Sequence, residues 1–390
     1  MAAWLLRVVA MIALLPLLGL ASSADEPDFA KQLRPKIEAK MKDWVTPGAM
    51  VLVDIPGKGT WVETFGTAEY GNTIKPDPTG HTHIGSITKT LTAQSILLLV
   101  DDGKLKLDEP IETYLPGLVP NGGNITVRQI LDMTSGLYNG TEDLGFNETL
   151  DAKPDKIWSP EEFIKLSLAH EPYFPPGAGF HYSNTNYEIL GLLVEKISGK
   201  PLNLFIADSI LTPLGMKNST LPDRDKAGLP DPHWGGYLFG TNVDGKKAYD
   251  AAIAGDNAHA MVPWPKDKPP IDVTGWSTSY TWASGSAIST LEDMAIWAKA
   301  WATGSLLKPE TRVEQQTWSA HAKYGLGITY PAGPLLGHNG AIPGFQSLIG
   351  YEPNSGATIV VFANNQLEPN TNFVLPADAI ADVIVKELFP

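Results

Sequence analysis

The sequence predicts a mixed α/β fold of the α+β type, with one antiparallel sheet assembled from both ends of the chain. Strand-like segments lie in pairs near each end, whereas the middle of the chain is rich in helical patterns, prolines and loops. We expect terminal helices to flank the sheet and a mostly helical region to be inserted between its two halves. The insertion and the sheet would then meet at a cleft, where functional sites commonly lie.

The N-terminal part of the chain is expected to supply the first half of the sheet. A helix near residues 29–41 precedes two strands at 48–53 and 60–67, which flank a Pro-Gly-Lys-Gly turn. An apolar helix follows Ser86 and ends near Gly103, a residue type that commonly follows a helix C-terminus.

The C-terminal part of the chain is expected to supply the second half. A clear helix at 187–198 lies in the middle region, because its apolar residues repeat at helical spacing. Later elements are predicted as a helix at 291–301, strands at 324–330, 345–351 and 357–363, and a helix at 377–388. We therefore divide the chain into a sheet region, 25–107 and 275–390, and a helical region, 108–274, within one catalytic domain.

The first 24 residues predict an exported protein. Arg7 precedes an apolar run over 8–20 and the segment Ala21-Ser22-Ser23-Ala24, which is the pattern of a secretory signal peptide cleaved after Ala24. A membrane anchor is the alternative interpretation, but the run is shorter than the roughly 20 residues of a bilayer-spanning helix. We expect a secreted or periplasmic protein with no stable membrane span after cleavage.

Composition excludes several classes of function. The 390-residue chain contains no cysteine, which excludes a thiol nucleophile and a disulfide scaffold. Its net charge of −14 gives no support to nucleic-acid binding.

The segment Ser86-Ile87-Thr88-Lys89 carries the clearest chemical signal. It places a hydroxyl and an amine three residues apart at the start of an apolar helix, so that both side chains share one helix face. Serine is a weak nucleophile and needs a nearby base or positive charge, which the lysine supplies. The same spacing recurs at Ser305 and Lys308, but Pro309 follows and that copy is expected to be a loop.

Two further tripeptides suit the same chemistry. Tyr182-Ser183-Asn184 lies in a loop before a helix, where a phenolate could take a proton and an amide could hold a carbonyl. His338-Asn339-Gly340 lies at a predicted strand start, where a cation beside a small residue could face a cleft. Both patterns recur elsewhere, at 70–72 and 233–235, so the order of the motifs and their element types carry the interpretation.

In that order the motifs resemble the serine β-lactamase and penicillin-binding protein superfamily. The resemblance is greatest to the class C branch and the secreted D-alanyl-D-alanine carboxypeptidases, and it extends from about residue 30 to 390. Additional segments that look like this family lie at 102–108, 114–117, 126–131 and 134–137. The resemblance implies the β-lactamase/DD-peptidase fold.

The resemblance also implies roles for individual residues. Ser86 would be acylated, Lys89 would lower its pKa or relay its proton, and Tyr182 would act as general base. The phenol of Tyr182 would be made acidic by Lys89 and His338. Residues expected to contact the substrate are the Asn184 amide, the oxyanion-hole N–H groups of Ser86 and Ala341, Asn339, Gly340 and Trp282. The aromatic residues Phe146, Tyr280 and Trp282 would line the acyl pocket or, as the alternative interpretation, belong to the core. No metal or organic cofactor is implied.

Two departures from the family leave the substrate open. His338 stands where many members have lysine, which favours the carboxypeptidase branch, and its charge would switch near neutral pH. However, the strand Gly325-Leu326-Gly327-Ile328 is followed by Thr329, not by the arginine that grips a substrate carboxylate. The first expectation is a D-Ala-D-Ala carboxypeptidase-like peptidase acting on cell-wall peptides. The alternatives are an esterase or amidase, a β-lactamase, or a penicillin-binding sensor with little turnover.

Overall fold

The structure is a computed structural model that describes residues 26–226, 228–256, 268–367 and 375–390. The predicted signal peptide, 1–24, lies outside the described residues. Within them, no helix combines the length and the apolar character needed to cross a membrane.

Eleven strands and thirteen α-helices are assigned in the described part of the chain. The strands are β1 (Gly48–Ile55), β2 (Gly59–Gly66), β3 (Thr82–His83), β4 (Tyr237–Phe239), β5 (Ile271–Asp272), β6 (Ile288–Ser289), β7 (Thr329–Ala332), β8 (Leu335–Ile342), β9 (Phe345–Glu352), β10 (Ala357–Ala363) and β11 (Asn365–Leu367). The helices are α1 (Asp28–Asp43), α2 (Thr88–Asp101), α3 (Val127–Leu131), α4 (Leu144–Ala152), α5 (Pro160–Ser167), α6 (Asn184–Ser198), α7 (Leu202–Ile206), α8 (Thr212–Leu214), α9 (Asn242–Ile253), α10 (Trp282–Gly285), α11 (Leu291–Thr303), α12 (Pro309–Gln315) and α13 (Pro376–Leu388).

The main sheet confirms the prediction that both ends of the chain build one antiparallel sheet. Its strand order is β2-β1-β10-β9-β8-β7, so that β1 from the N-terminal part pairs with β10 from the C-terminal part. Alternation along β1 sends Met50 and Leu52 into the main core, whereas Ala49 and Val51 face the terminal helices α1 and α13. The sheet is therefore covered on both faces, which explains why β10 is buried along its whole length.

The predicted strand at 324–330 begins later than expected, because β7 starts at Thr329. The segment before it forms a tight turn, in which Gly325 N–H donates to Ile328 O at 2.8 Å. Gly327 adopts a positive φ of 80°, and a β-carbon there would lie 2.6 Å from Ala93 Cβ on α2. The Gly-Leu-Gly segment thus packs closely against α2 and does not extend the strand.

The inserted region is mostly helical, and α6 joins it to the rest of the molecule. Helix α6 packs against α2, the helix that follows Ser86, and against the short helix α10. Strands β4 and β5 of the inserted region form a three-stranded sheet with β11 from the C-terminal part. The start of α2, the start of α6 and the strand β8 consequently meet at one place.

Candidate active site

Ser86 occupies the position that its motif predicts. It lies in a 3₁₀ turn, Gly85–Ile87, which leads directly into α2. Lys89 Nζ lies 3.0 Å from Ser86 Oγ, so the i and i+3 side chains are in hydrogen-bond contact. By contrast, Ser305 lies in a loop, where the Lys308 amine donates to the Asp101 carbonyl. The structure therefore distinguishes the two copies of the motif.

The amine of Lys89 is buried and surrounded by acceptors. Besides Ser86 Oγ, it donates to Asn184 Oδ1 at 2.6 Å and to Ser284 O at 2.9 Å. Burial lowers the pKa of Lys89 to about 7, although the nearby Glu188 carboxyl opposes this shift. Burial therefore favours the neutral amine, which is able to accept a proton.

The prediction that the Tyr182 phenol is acidic is wrong. Its hydroxyl is buried and makes no well-aligned hydrogen bond in the described structure, and its ring centre lies 4.8 Å from Lys89 Nζ. Burial raises the pKa of Tyr182 above its usual range, and the interaction with Ser86 lowers it by less. Tyr182 is a neutral phenol beside Ser86, positioned to relay a proton but not to hold a negative charge at rest.

His338 is not the cation that the sequence suggested. Its Nδ1 lies 2.5 Å from Asn339 O, which can only accept, so Nδ1 carries the proton and Nε2 accepts from the Tyr324 hydroxyl at 3.0 Å. Burial lowers the pKa of His338 to about 4. The histidine is neutral at pH 7 and forms, with Tyr324, the buried wall behind Tyr182.

Two glycines bring β8 into close contact with the turn that carries Ser86. A β-carbon on Gly85 would lie 2.6 Å from Ala341 N, and one on Gly340 would lie 2.9 Å from Ser86 N and overlap Ile84 O. This close approach brings the backbone nitrogens of Ser86 and Ala341 near each other, which the predicted oxyanion hole requires.

The Asn339 side chain, predicted to contact substrate, does not face the site. It donates to the Asp378 carboxylate on α13 at 3.0 Å and 3.2 Å, on the opposite face of the sheet from Ser86. Successive side chains of a strand point to opposite faces, so His338 and Asn339 cannot both reach the cleft.

An open cavity of about 340 Å³ begins at Ser86, Tyr182 and Asn184. Its polar wall includes Thr141 and Glu142, and α9 closes another side. The apolar wall consists mainly of Phe146, Leu150, Leu238, Phe239 and Tyr280. The prediction that Phe146 and Tyr280 line an acyl pocket agrees with this arrangement, although both rings are also part of a small aromatic core.

The β-lactamase family model matches residues 33–383. This chain belongs to the β-lactamase family.

Three related proteins place it within that family. Protein flp of Staphylococcus aureus (strain MW2) is 26% identical over 354 residues, covering 86% of this chain, which spans only 63% of that relative. A D-stereospecific amidohydrolase from a Streptomyces species has a similar structure, with 27% identity, a TM-score of 0.76 and coverage of 93% of this chain and 99% of that chain. A D-amino acid amidase from Ochrobactrum anthropi SV3 follows, with 25% identity, a TM-score of 0.73 and coverage of 92% and 98%. The chain therefore has the fold of a family of serine hydrolases.

The prediction that Trp282 contacts the substrate of this β-lactamase family member is wrong. Its ring does not line the cavity but stacks on the Arg224 guanidinium, with 3.9 Å from Cζ to the ring centre. Arg224 also pairs with Glu195. Together with Trp282, these two residues line a surface depression that is separate from the cavity at Ser86. The neighbouring Ser284, in contrast, reaches Lys89 through its carbonyl.

Two buried or cavity-lining carboxyls near the site are absent from the sequence-based prediction. Glu188 lies on α6 four residues after Asn184, among buried apolar residues, and a charged residue on such a face was an available signal. Glu142 lies in the short turn before α4 and reaches the cavity only through the folding of the inserted region, so no sequence pattern predicts its position there.

Proposed function

We propose that this chain hydrolyses amides, or the corresponding esters, of D-amino acids with large apolar side chains through an acyl-enzyme on Ser86. The observation that carries the proposal is the cavity itself. It joins the Ser86 nucleophile to an aromatic wall and to a carboxylate, Glu142. The structural likeness to a D-stereospecific amidohydrolase and a D-amino acid amidase supports this choice within the family.

Glu142 is held as an acceptor facing the cavity. Its carboxylate accepts from Asn139 Nδ2 at 3.0 Å and from the Tyr173 hydroxyl at 2.9 Å. Asn139 also accepts the Asn184 backbone N–H at 3.0 Å, which ties Glu142 to the residue beside Lys89. A fixed carboxylate in a cleft favours a cationic group, so we assign Glu142 to the substrate α-amino group.

The apolar wall would receive the substrate side chain. Phe146 and Tyr280 pack edge to face, with ring centres 5.3 Å apart, and Leu150 lies beside them. On the other side of Ser86, the buried Tyr324 and His338 occupy the space behind Tyr182. A large acyl group and a small leaving group, such as ammonia or a short alcohol, fit this asymmetry.

Lys89 is the group that would take the proton from Ser86. A neutral amine has two N–H donors and one lone pair, and two of the three oxygen contacts of Lys89 are the acceptors Asn184 Oδ1 and Ser284 O. The lone pair is then directed at the Ser86 hydroxyl. Ser86 Oγ attacks the carbonyl carbon, its proton passes to Lys89, and the carbonyl electron pair moves to the oxygen held by the N–H groups of Ser86 and Ala341.

Collapse of the tetrahedral intermediate would break the bond to the leaving group. The Tyr182 phenol lies beside Lys89 and lines the cavity, so it would pass a proton from Lys89 to the departing nitrogen or oxygen. Water then attacks the ester carbonyl of the acyl-enzyme, gives its proton back through the same groups, and Ser86 leaves with a proton. Apart from the substrate, water is the only reactant that the cycle consumes.

The decisive experiment compares D- and L-phenylalanine amide as substrates for the purified protein. We expect ammonia release from the D-amide, and Glu142→Gln should raise its KM by about 10- to 100-fold, because a hydrogen bond to a charged group contributes roughly 1.5–3 kcal/mol. Glu148→Gln, on the exposed face of α4, is the matched control. Ser86→Ala should abolish labelling by a fluorophosphonate, whereas Ser305→Ala should keep it. An unchanged KM in the Glu142 variant would refute the ammonium assignment.

A D-Ala-D-Ala carboxypeptidase remains the second candidate, and one observation favours it. Lys246 on α9 lines the same cavity and could meet a substrate carboxylate in place of the missing arginine, although it pairs with Asp250. Release of D-alanine from diacetyl-Lys-D-Ala-D-Ala, reduced by Lys246→Ala, would support this activity over the amidase. Export through the segment 1–24 is also proposed, and fractionation of cells that express the full chain tests it.

A further inference from the structure

Glu188 is a buried carboxyl that takes no direct part in the proposed acylation and deacylation of Ser86. It lies on α6 and is fully buried, with the buried residues Tyr187 and Ile189 on either side along the chain. Its Oε1 accepts the Ser284 backbone N–H at 3.0 Å, whereas no well-aligned hydrogen bond reaches its Oε2 among the described residues. The Ser284 side chain and the Ala283 backbone also interact with the carboxyl and lower its pKa by less than burial raises it. Burying a carboxyl is costly, so this arrangement calls for a functional reason.

The backbone of Ser284 connects Glu188 to the nucleophile. Its N–H is held by Glu188, and its carbonyl accepts from Lys89 Nζ at 2.9 Å, while Lys89 contacts Ser86 at 3.0 Å. One peptide segment therefore contacts the carboxyl on one side and the amine on the other.

The segment that carries Ser284 is fixed on α2 and α6. Thr92 Oγ1 donates to Ala283 O at 2.6 Å. Gly191 on α6 allows close packing, since a β-carbon there would lie 2.5 Å from Ala283 Cβ and 2.7 Å from the Trp282 ring. Ser284 is thus a rigid connection, and a change at Glu188 would be transmitted to Lys89.

We propose that Glu188 is a positioning residue that sets the proton affinity of Lys89, by supplying the negative charge that faces the buried amine and by fixing the Ser284 carbonyl that binds it. This inference rests on the acyl-enzyme mechanism of the proposed function. When Lys89 takes the proton from Ser86, the ammonium that forms is stabilised by the Glu188 carboxylate.

The other titratable groups that face Lys89 are neutral at pH 7. They are Tyr182 from the loop, Tyr187 from α6 and His338 from β8; burial raises the pKa of both phenols above the usual range and lowers that of His338 to about 4. Burial raises the pKa of Glu188 to about 7, close to that of Lys89. Because each group shifts the pKa of the other, the amine and the carboxyl titrate as a coupled pair.

The test measures the rate of labelling by a fluorophosphonate from pH 5 to pH 10, because fluoride leaves without a proton and the rate reports the base. We expect Glu188→Gln, which keeps an acceptor for the Ser284 N–H but no charge, to move the acid limb of the profile about one pH unit lower. The alkaline plateau should fall about 3- to 10-fold, since a less basic amine is a weaker general base. Glu188→Ala, which also removes the acceptor, should be slower at every pH.

Glu195→Gln, on the same helix but paired with Arg224, is the matched control and should leave the profile unchanged. A purely structural role for Glu188 would lower the rate without moving the acid limb, and that result would overturn the proposal. A direct titration of the Lys89 ε-carbon by ¹³C NMR, assigned with Lys89→Arg, keeps the inference testable apart from reactivity. If the fluorophosphonate failed to react with the wild-type protein, the proposed function would be refuted. An unchanged Lys89 pKa in Glu188→Gln would refute this inference alone.

Discussion

Replacing Gly340 by alanine probes the contact that builds the oxyanion hole. A β-carbon at this position would lie 2.7 Å from Ser347 Oγ and 2.9 Å from Ser86 N, and it would overlap Ile84 O. Two of these three atoms are backbone, so the clash cannot be relieved by rotating a side chain. Strand β8 and the Ser86 turn must separate instead.

The size of the effect follows from the distances. Ordinary contacts between carbon and oxygen lie at about 3.3–3.6 Å, so β8 must move by roughly 1 Å relative to Ser86. A displacement of that size takes the Ala341 N–H out of reach of the developing oxyanion. Loss of one oxyanion-hole donor costs about 10²–10³-fold in kcat. The overpacking itself should destabilise the fold by about 1–3 kcal/mol.

The assay is steady-state hydrolysis of D-phenylalanine amide, with fluorophosphonate labelling as a second readout that needs no specific substrate. Gly340→Ala should lower kcat by at least 100-fold, while circular dichroism at 25 °C stays that of a folded protein. Gly123→Ala is the matched control, because a β-carbon there would have no atom within 4 Å. A Gly340→Ala variant with kcat within threefold of the wild type would show that β8 can yield without moving the donor, and the reasoning would fail.

Three further outcomes follow from the burial of the site. Lys89→Arg should abolish labelling, because a guanidinium stays protonated and cannot accept the Ser86 proton; labelling above a tenth of the wild-type rate would contradict this. Burial lowers the pKa of His83 and of His338 to about 4, whereas an unfolded histidine titrates near 6.5, so the stability that these neutral rings contribute is complete above pH 6.5 and is lost as the pH falls towards 4. Urea unfolding at pH 7, 6, 5 and 4 should show this loss, and His338→Gln should make it less steep; parallel curves would count against it. Tyr280→Ala should raise KM for an aromatic amide at least fivefold, whereas Trp282→Phe should leave KM within twofold. Of these two aromatic residues, Tyr280 lines the cavity and Trp282 does not.

The arrangement of the sheet could be predicted from the sequence because its signal is local and repeated. Each of β1, β9 and β10 is a run of apolar and β-branched residues bounded by turn residues, and each was placed to within two residues. The same holds for the contact between Ser86 and Lys89, which helical spacing alone fixes. The segment 324–330 is predicted as a strand, but the conformation of its first part, 324–328, is decided by the packing of Gly327 on α2, which is a tertiary effect.

The residues of the cavity that lie far apart in the sequence could not be predicted in the same way. Glu142 reaches the cleft through hydrogen bonds with Asn139 and Tyr173, and Tyr249 reaches it on α9. These contacts depend on how the inserted region folds onto the sheet. Trp282 shows the converse error, because an aromatic residue two positions from Ser284 faces away from the site.

The protonation states were the least predictable feature, and the reason is physical. A motif shows that a lysine, a tyrosine and a histidine are near a serine, and their ordinary charges in water suggest a cationic cluster that acidifies the phenol. Burial reverses this expectation, since desolvation lowers the pKa of Lys89 and His338 and raises that of Tyr182. The histidine is neutral and does not act as a second cation. The remaining electrostatic support for a protonated Lys89 comes from Glu188, although burial disfavours the charged form of that carboxyl. The family's lysine and this chain's histidine therefore imply different charge balances around the same nucleophile, and Glu188 is the residue through which that difference becomes measurable.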